Sequence, residues 1–261
     1  MDLGLRGKAA LVTGGSDGIG AAIAQALSAE GVDVAICART QASLEATAIR
    51  IGAATGNRVV PITADLGTLE GCRAFVQSAY AALGGIDILV NNAGASRLGP
   101  FVELPDDAMV EAIDGKLLAC VRCCREAIPH LRARGGGVIV NITGATHQAV
   151  PLHTAGGACN AAIRTFSKTL ALELAPDRIR VNTVAPGRIR TRRQERMLQA
   201  EATAAGCSVE ALTARMVATI PSRRLGRVED VADTVSFLVS ERASYINGAA
   251  ITVDGSKSLV V

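Results

Sequence analysis

The chain has no tryptophan, two tyrosines and four phenylalanines in 261 residues. Its core must therefore be built from Ala, Val, Ile and Leu, the composition of a helix-covered parallel sheet. Seven cysteines, an odd number at irregular spacing, offer no disulfide framework, so a reduced, cytoplasmic protein is expected. Cys120, Cys123 and Cys124 have no second C-x-x-C pair to complete a metal set. They are expected as buried thiols on a helix, with no metal site. A formal net charge of +3 is too small to favour nucleic acid as a partner. No apolar run is long enough to span a bilayer, and the first residues carry no basic and apolar leader, so no membrane association is expected.

What is present is organised around residues 10–31. An apolar run, Ala9 to Thr13, leads into the turn Gly14-Gly15-Ser16-Asp17-Gly18-Ile19-Gly20, and an alanine-rich helix follows to a stop at Gly31. Glycines at 14, 18 and 20 suit a tight turn, close approach of backbone to a pyrophosphate, and close packing of helix on strand. The free N–H groups and positive dipole end of that helix face any anion in the turn. Between a strand and a helix, this pattern points to a dinucleotide site. Downstream, strands are expected over 32–38, 58–63, 86–90, 138–143, 178–184 and 249–253. Helices are expected over 41–54, 69–82, 106–132, 155–174, 193–205, 209–219 and 228–240. Strands alternating with helices through short connections predict one α/β domain over 1–261, a Rossmann-like doubly wound parallel sheet.

Several separated motifs then fall in order: Thr13-Gly14 with Gly18-Ile19-Gly20, Asn91-Asn92-Ala93-Gly94, Pro186-Gly187 with Thr191, Arg224-Leu225-Gly226, Asn247-Gly248 and Val253-Asp254-Gly255. Together they resemble the short-chain dehydrogenase/reductase family over essentially the whole chain. The resemblance implies seven strands in the order 3-2-1-4-5-6-7, and a homotetramer or homodimer paired through the helices near 106–132 and 155–174. It places Ser16, Asp17, Gly18, Ile19 and Gly20 around a pyrophosphate and Asp65 and Leu66 beside adenine. Asn92, Ala93 and Gly94 fall against the adenine ribose, and Pro186, Gly187, Ile189 and Thr191 at the nicotinamide end. NAD-binding members carry an acid at the end of the second strand. Here Ala38 stands there, followed by Arg39 and Thr40. A guanidinium suits a 2′-phosphate, so NADP(H) is preferred over NAD(H), although Asp17 would repel that phosphate. The alternative for Arg39 is a solvated surface arginine.

The family's proton chemistry rests on Asn, Ser, Tyr and Lys, and here the pattern breaks. The Tyr-x-x-x-Lys window reads Gly156-Gly157-Ala158-Cys159-Asn160, so Gly156 stands for the tyrosine and Asn160 for the lysine. The serine falls at Gly144, with Thr143 as its neighbouring hydroxyl, and the asparagine falls at Lys116. Neither Tyr80 nor Tyr245 lies near these motifs. His153 and His147 are the candidate replacements for proton transfer, each otherwise a hydrogen-bonded loop histidine. The stretch Leu152 to Gly156 also resembles peroxisomal 2,4-dienoyl-CoA reductases, which lack the tyrosine but keep the lysine. Arg188, Arg190, Arg192, Arg193 and Arg196 crowd the start of the family's substrate lid, at about 188–222. They are either a solvated helix start or a site for an anion such as an acyl thioester's phosphate.

Two readings follow. One is an NADP(H)-dependent oxidoreductase acting on an acyl thioester or other anionic carbonyl or enoyl substrate, with His153, Thr143, Lys116 and Asn160 as candidate active-site groups. The other is a catalytically inactive nucleotide-binding or partner protein. Lyase or isomerase chemistry has only the histidines to recommend it.

Overall fold

The computed structural model describes residues 2–94, 96–144 and 152–258. Seven strands, β1 (Ala9–Thr13), β2 (Asp33–Ala38), β3 (Val59–Thr63), β4 (Ile88–Asn91), β5 (Gly137–Ile142), β6 (Ile179–Pro186) and β7 (Ala250–Val253), form one sheet. Every pairing is parallel and the order is β3-β2-β1-β4-β5-β6-β7, as the resemblance implied. The period of two in each strand divides the core between the sheet's faces. Ala10, Val12, Ile88, Val90, Val138 and Val140 point to one face and meet α1 (Gly18–Ala29), α2 (Gln41–Thr55) and α9 (Val228–Val239). Leu11, Leu89 and Ile139 point to the other, against α3 (Leu69–Leu83), α5 (Ala119–Ala133) and α6 (Thr154–Leu174). Cys120, Cys123 and Cys124 are free thiols buried in this second layer. Among the described residues, no helix is long and apolar enough to cross a membrane.

The single helix expected over 106–132 differs from expectation. It runs as α4 (Asp106–Ala112), a π-helical stretch Ile113–Leu118, and then α5. Gly115 weakens the coil there, while Ile113 and Leu117 pack against Ala155 and Cys159 of α6. Such wide turns recur at functional sites. The last two short helices, α7 (Arg192–Ala204) and α8 (Val209–Ala218), interrupt the alternation before α9.

Beneath the strand ends lies a buried polar chain. Asn91 Nδ2 donates to Asn141 Oδ1 at 2.9 Å, and Asn141 Nδ2 donates to Ser167 Oγ at 2.8 Å. It ties β4 and β5 to α6, under the edge where β1 and β4 part in opposite directions. In such sheets the crevice outside the strands' carboxyl ends is where ligands bind.

Candidate active site

At the carboxyl end of β1 the chain turns through Gly14 (φ +66°) and Gly18 (φ +56°), a backbone region that costs a residue with a Cβ. A Cβ on Gly20 would run into the Gly14 carbonyl oxygen and lie 2.5 Å from Asn92 Nδ2. Asn92 Nδ2 donates to the carbonyls of Thr13 and Gly14 at 3.0 and 3.1 Å, and Thr13 Oγ1 accepts from the amides of Asn92 and Ala93 at 2.8 and 2.9 Å. The turn is thus fixed by β4's end as well as by its own glycines. Ser16 contributes its carbonyl to Thr47 Oγ1 at 2.8 Å, and Ile19 packs on the core. Asp17 is exposed at the N-cap of α1, its Oδ1 accepting from the Gly18 amide at 2.8 Å. This cradle suits a pyrophosphate: positions 14, 18 and 20 carry no Cβ, and the turn opens onto the N-terminus of α1.

The remaining cofactor candidates line the same edge. Arg39 and Thr40 are exposed just after β2. Asp65 is exposed, with Oδ1 accepting from the Gly67 amide at 3.0 Å, while Leu66 is buried in the core. Pro186 ends β6, and the Gly187 amide donates to Val253 O at 2.9 Å. A Cβ on Gly187 would lie 2.5 Å from that of Asp254. Ile189 is buried and bridges to Gly226. Thr191 caps α7 and reaches back to the glycine turn, its methyl 3.4 Å from where a Cβ of Gly18 would stand.

Beside this edge, α6 begins at Thr154 directly after His153. Gly156 is buried, and a Cβ there would collide with His153 Nε2 and with Ser96 Oγ, and stand 2.8 Å from His153 Cδ2. The imidazole and the serine hydroxyl, 3.0 Å apart, occupy the space from which any side chain at position 156 would start. Asn160, one turn on and on the same face, is buried. Lys116 comes in from the π-helical stretch, and its stem fills the space where a Cβ on Gly94 (φ +150°) would need to be, 2.7 Å from its Cγ. Burial pushes the Lys116 ammonium below the ordinary lysine range, against Cys159 and Cys120, which raise it, and Arg193 lowers it further. Burial likewise pushes His153 below its usual 6.5, helped by the positive charges of Lys116, Arg193 and Arg188. Arg193 Nη2 donates to Ser96 O at 3.2 Å.

The structure therefore brings His153, Lys116, Arg188 and Arg193 to one corner, with Asn160 one turn further along α6. Thr143 sits at the end of β5, buried, with its hydroxyl toward Val184 O at 3.4 Å. His147 lies outside the described residues. Tyr80 stacks on His130 between α3 and α5, with ring centroids 4.2 Å apart. Tyr245 is fully exposed, beside a cavity of about 710 Å³ at the opposite, amino-terminal edge of the strands. Ser96 escaped the sequence reading, because its partner lies 57 residues away. The one available signal was a hydroxyl shortly after the Asn-Asn-Ala-Gly run.

Comparison with known proteins agrees with this fold. The family model described as enoyl-(acyl carrier protein) reductase matches residues 14–256. Nodulation protein G of Rhizobium sp. (strain N33) is 37% identical over 259 residues, covering 98% of this chain and 99% of that one. L-Xylulose reductase of Bos taurus is 35% identical, with 98% of each chain covered. The structure of L-sorbose reductase from Gluconobacter frateurii, complexed with NADPH and L-sorbose, superposes with a TM-score of 0.96 at 35% identity over 100% of both chains.

Proposed function

The chain belongs to the short-chain dehydrogenase/reductase family, and from that premise we propose that it is an NADP(H)-dependent oxidoreductase in which His153 handles the proton in place of a tyrosine. One observation carries the reading: the His153 ring occupies the root of the side chain that Gly156 lacks. NADPH in the similar sorbose reductase supports the choice of cofactor. So does Arg39, exposed where a 2′-phosphate would lie. Backbone donors of residues 14–20 hold the pyrophosphate, Asp65 and Leu66 flank the adenine, and Asn92, Ala93 and Gly94 meet the ribose. Pro186, Gly187, Ile189 and Thr191 hold the nicotinamide end. Bound NADP(H) supplies or takes up hydride.

His153 supplies or removes the proton. Its lowered pKa favours the neutral ring, which can accept a proton, and makes its imidazolium a better proton donor than a free one. Lys116 and Arg193 seat an anionic group of the substrate, such as a carboxylate or the phosphates of an acyl thioester. Helices α7 and α8 cover it as the lid. Thr143 and Asn160 shape the floor of the site; neither an alcohol nor an amide exchanges its proton readily at neutral pH.

The test is a fluorescence titration with NADPH and NADH, followed by turnover on ketones and enoyl thioesters at 340 nm (roughly, the reduced nicotinamide band). NADPH should bind more tightly. His153→Ala should lower turnover by about 10²–10⁴-fold, and Thr143→Ala should not. KM should rise with salt, because the exposed arginines are screened. Gly156 and Asn160, which carry neither a phenol nor an ammonium, favour the second reading. Tight NADPH binding without turnover on any of these substrates would establish a nucleotide-binding or partner protein instead.

A further inference from the structure

We propose that Ser96 is a positioning residue for His153, and that Arg193 clamps Ser96 in turn, so that the loop after β4 and the first turn of α7 together fix one imidazole. The inference rests on the reading of His153 as the proton-handling group.

Three short contacts carry it. Ser96 Oγ lies 3.0 Å from His153 Nε2. The Gly99 amide donates to Leu152 O at 3.0 Å, so the loop after β4 is tied to the residue that precedes the histidine. Arg193 Nη2 donates to Ser96 O at 3.2 Å, tying the start of α7 to the same loop. Leu152 is held at φ +68°, a left-handed conformation that a leucine adopts only when its surroundings impose it. That turn delivers the His153 ring over Gly156, while the His153 carbonyl accepts from the Gly157 amide at 2.8 Å and starts α6. The backbone is strained and the side chain has one described polar partner. A serine there is what selects the ring's orientation.

The chemistry explains why a hydroxyl suits the place. A neutral imidazole has one N–H and one lone pair, and the bond made by one nitrogen decides which role the other takes. Among the described residues, the charged groups that act on this ring are Lys116 from the π-helical stretch, Arg188 before α7 and Arg193 in its first turn. All three are cations. A carboxylate orienting the ring, as in a Ser-His-Asp arrangement, would be neutralised by them and would raise the histidine's proton affinity. A hydroxyl orients Nε2 without adding charge, which leaves the cations free for an anionic ligand.

The experiment compares the wild-type chain with Ser96→Ala and Ser96→Thr by ¹⁵N NMR of labelled histidine, with His153 assigned by its loss in His153→Ala. Wild type should show one neutral tautomer at His153. Ser96→Ala should give a mixture of tautomers with a displaced titration midpoint, and Ser96→Thr should restore the wild-type pattern. Turnover of Ser96→Ala should fall by about 10²-fold, the effect of a small misplacement, with NADPH affinity unchanged. An unaltered His153 tautomer and midpoint in a folded Ser96→Ala variant would overturn the inference. Absence of turnover in the wild type would instead sink the oxidoreductase reading, and the NMR comparison would still decide the role of Ser96.

Discussion

A carboxylate at the mouth of a phosphate cradle is the sharpest conflict among the cofactor residues. Asp17 caps α1 through Oδ1, and so puts a negative charge at the same helix N-terminus proposed for the pyrophosphate. Serine caps a helix about as well as aspartate. Asp17→Ser should therefore keep the fold and remove a repulsion of about 1 kcal/mol, tightening NADPH by about five-fold. Equal or weaker NADPH affinity in a titration of the variant would mean that Asp17 points away from the phosphates. Arg39, Asp17 and Gly156 could be singled out in the sequence, because each is a local departure within a motif. What fills the space over Gly156 was not legible. The His153–Ser96 and Arg193–Ser96 contacts join residues 57 and 97 positions apart, and no local pattern encodes them. One consequence concerns rebuilding the usual pair by Gly156→Tyr with Asn160→Lys: the new side chain would have to expel His153 and Ser96 first.

At the scale of elements, the sequence was read well wherever hydrophobic period or a glycine marked an end. The differences fall at particular side chains. β4 starts at Ile88 and not at Ile86; just before it, Asp87 Oδ2 accepts from the Ala9 amide at 2.8 Å and its carboxylate pairs with Arg134. β6 runs on to Pro186, which pairs with Val253 at the very end of the ladder, where a missing N–H does least harm. The π-helical stretch was invisible, since its cause is packing on α6. The turn–helix unit at the amino-terminal end offers a direct test of close packing. Gly20→Ala would press a methyl into the Gly14 carbonyl and Asn92, and overpacking of this kind costs about 1–3 kcal/mol. Urea denaturation should show that loss, and NADPH binding should fall with it. Gly157→Ala, whose Cβ would meet nothing within 4 Å on α6, should instead stabilise by about 0.5–1 kcal/mol. Equal effects at the two sites would mean that the turn is not packed as described.

Across the whole molecule, the site is a circuit of contacts along one sheet edge. Gly14 meets Asn92, Gly94 meets the Lys116 stem, His153 meets Ser96, Ser96 meets Arg193, and Thr191 returns to Gly18. A ligand that spans the circuit should stabilise the entire fold, since the unfolded chain lacks the site. At 100 times its dissociation constant, such a ligand adds about 2.7 kcal/mol. In a domain of this size each kcal/mol moves the melting point by about 2–4 °C. NADPH should therefore raise Tm by roughly 5–10 °C in a thermal melt. NADH at the same concentration should raise it less, because it has no 2′-phosphate for the Arg39 guanidinium to grip. Arg39 is exposed and makes no hydrogen bond or ion pair with a described residue, so Arg39→Ala should leave the Tm of the free protein where it is. The variant should erase the difference between the two cofactors and nothing else. If NADPH and NADH protect the wild-type chain equally, Arg39 is a solvated surface residue, and cofactor selection must lie elsewhere along the edge.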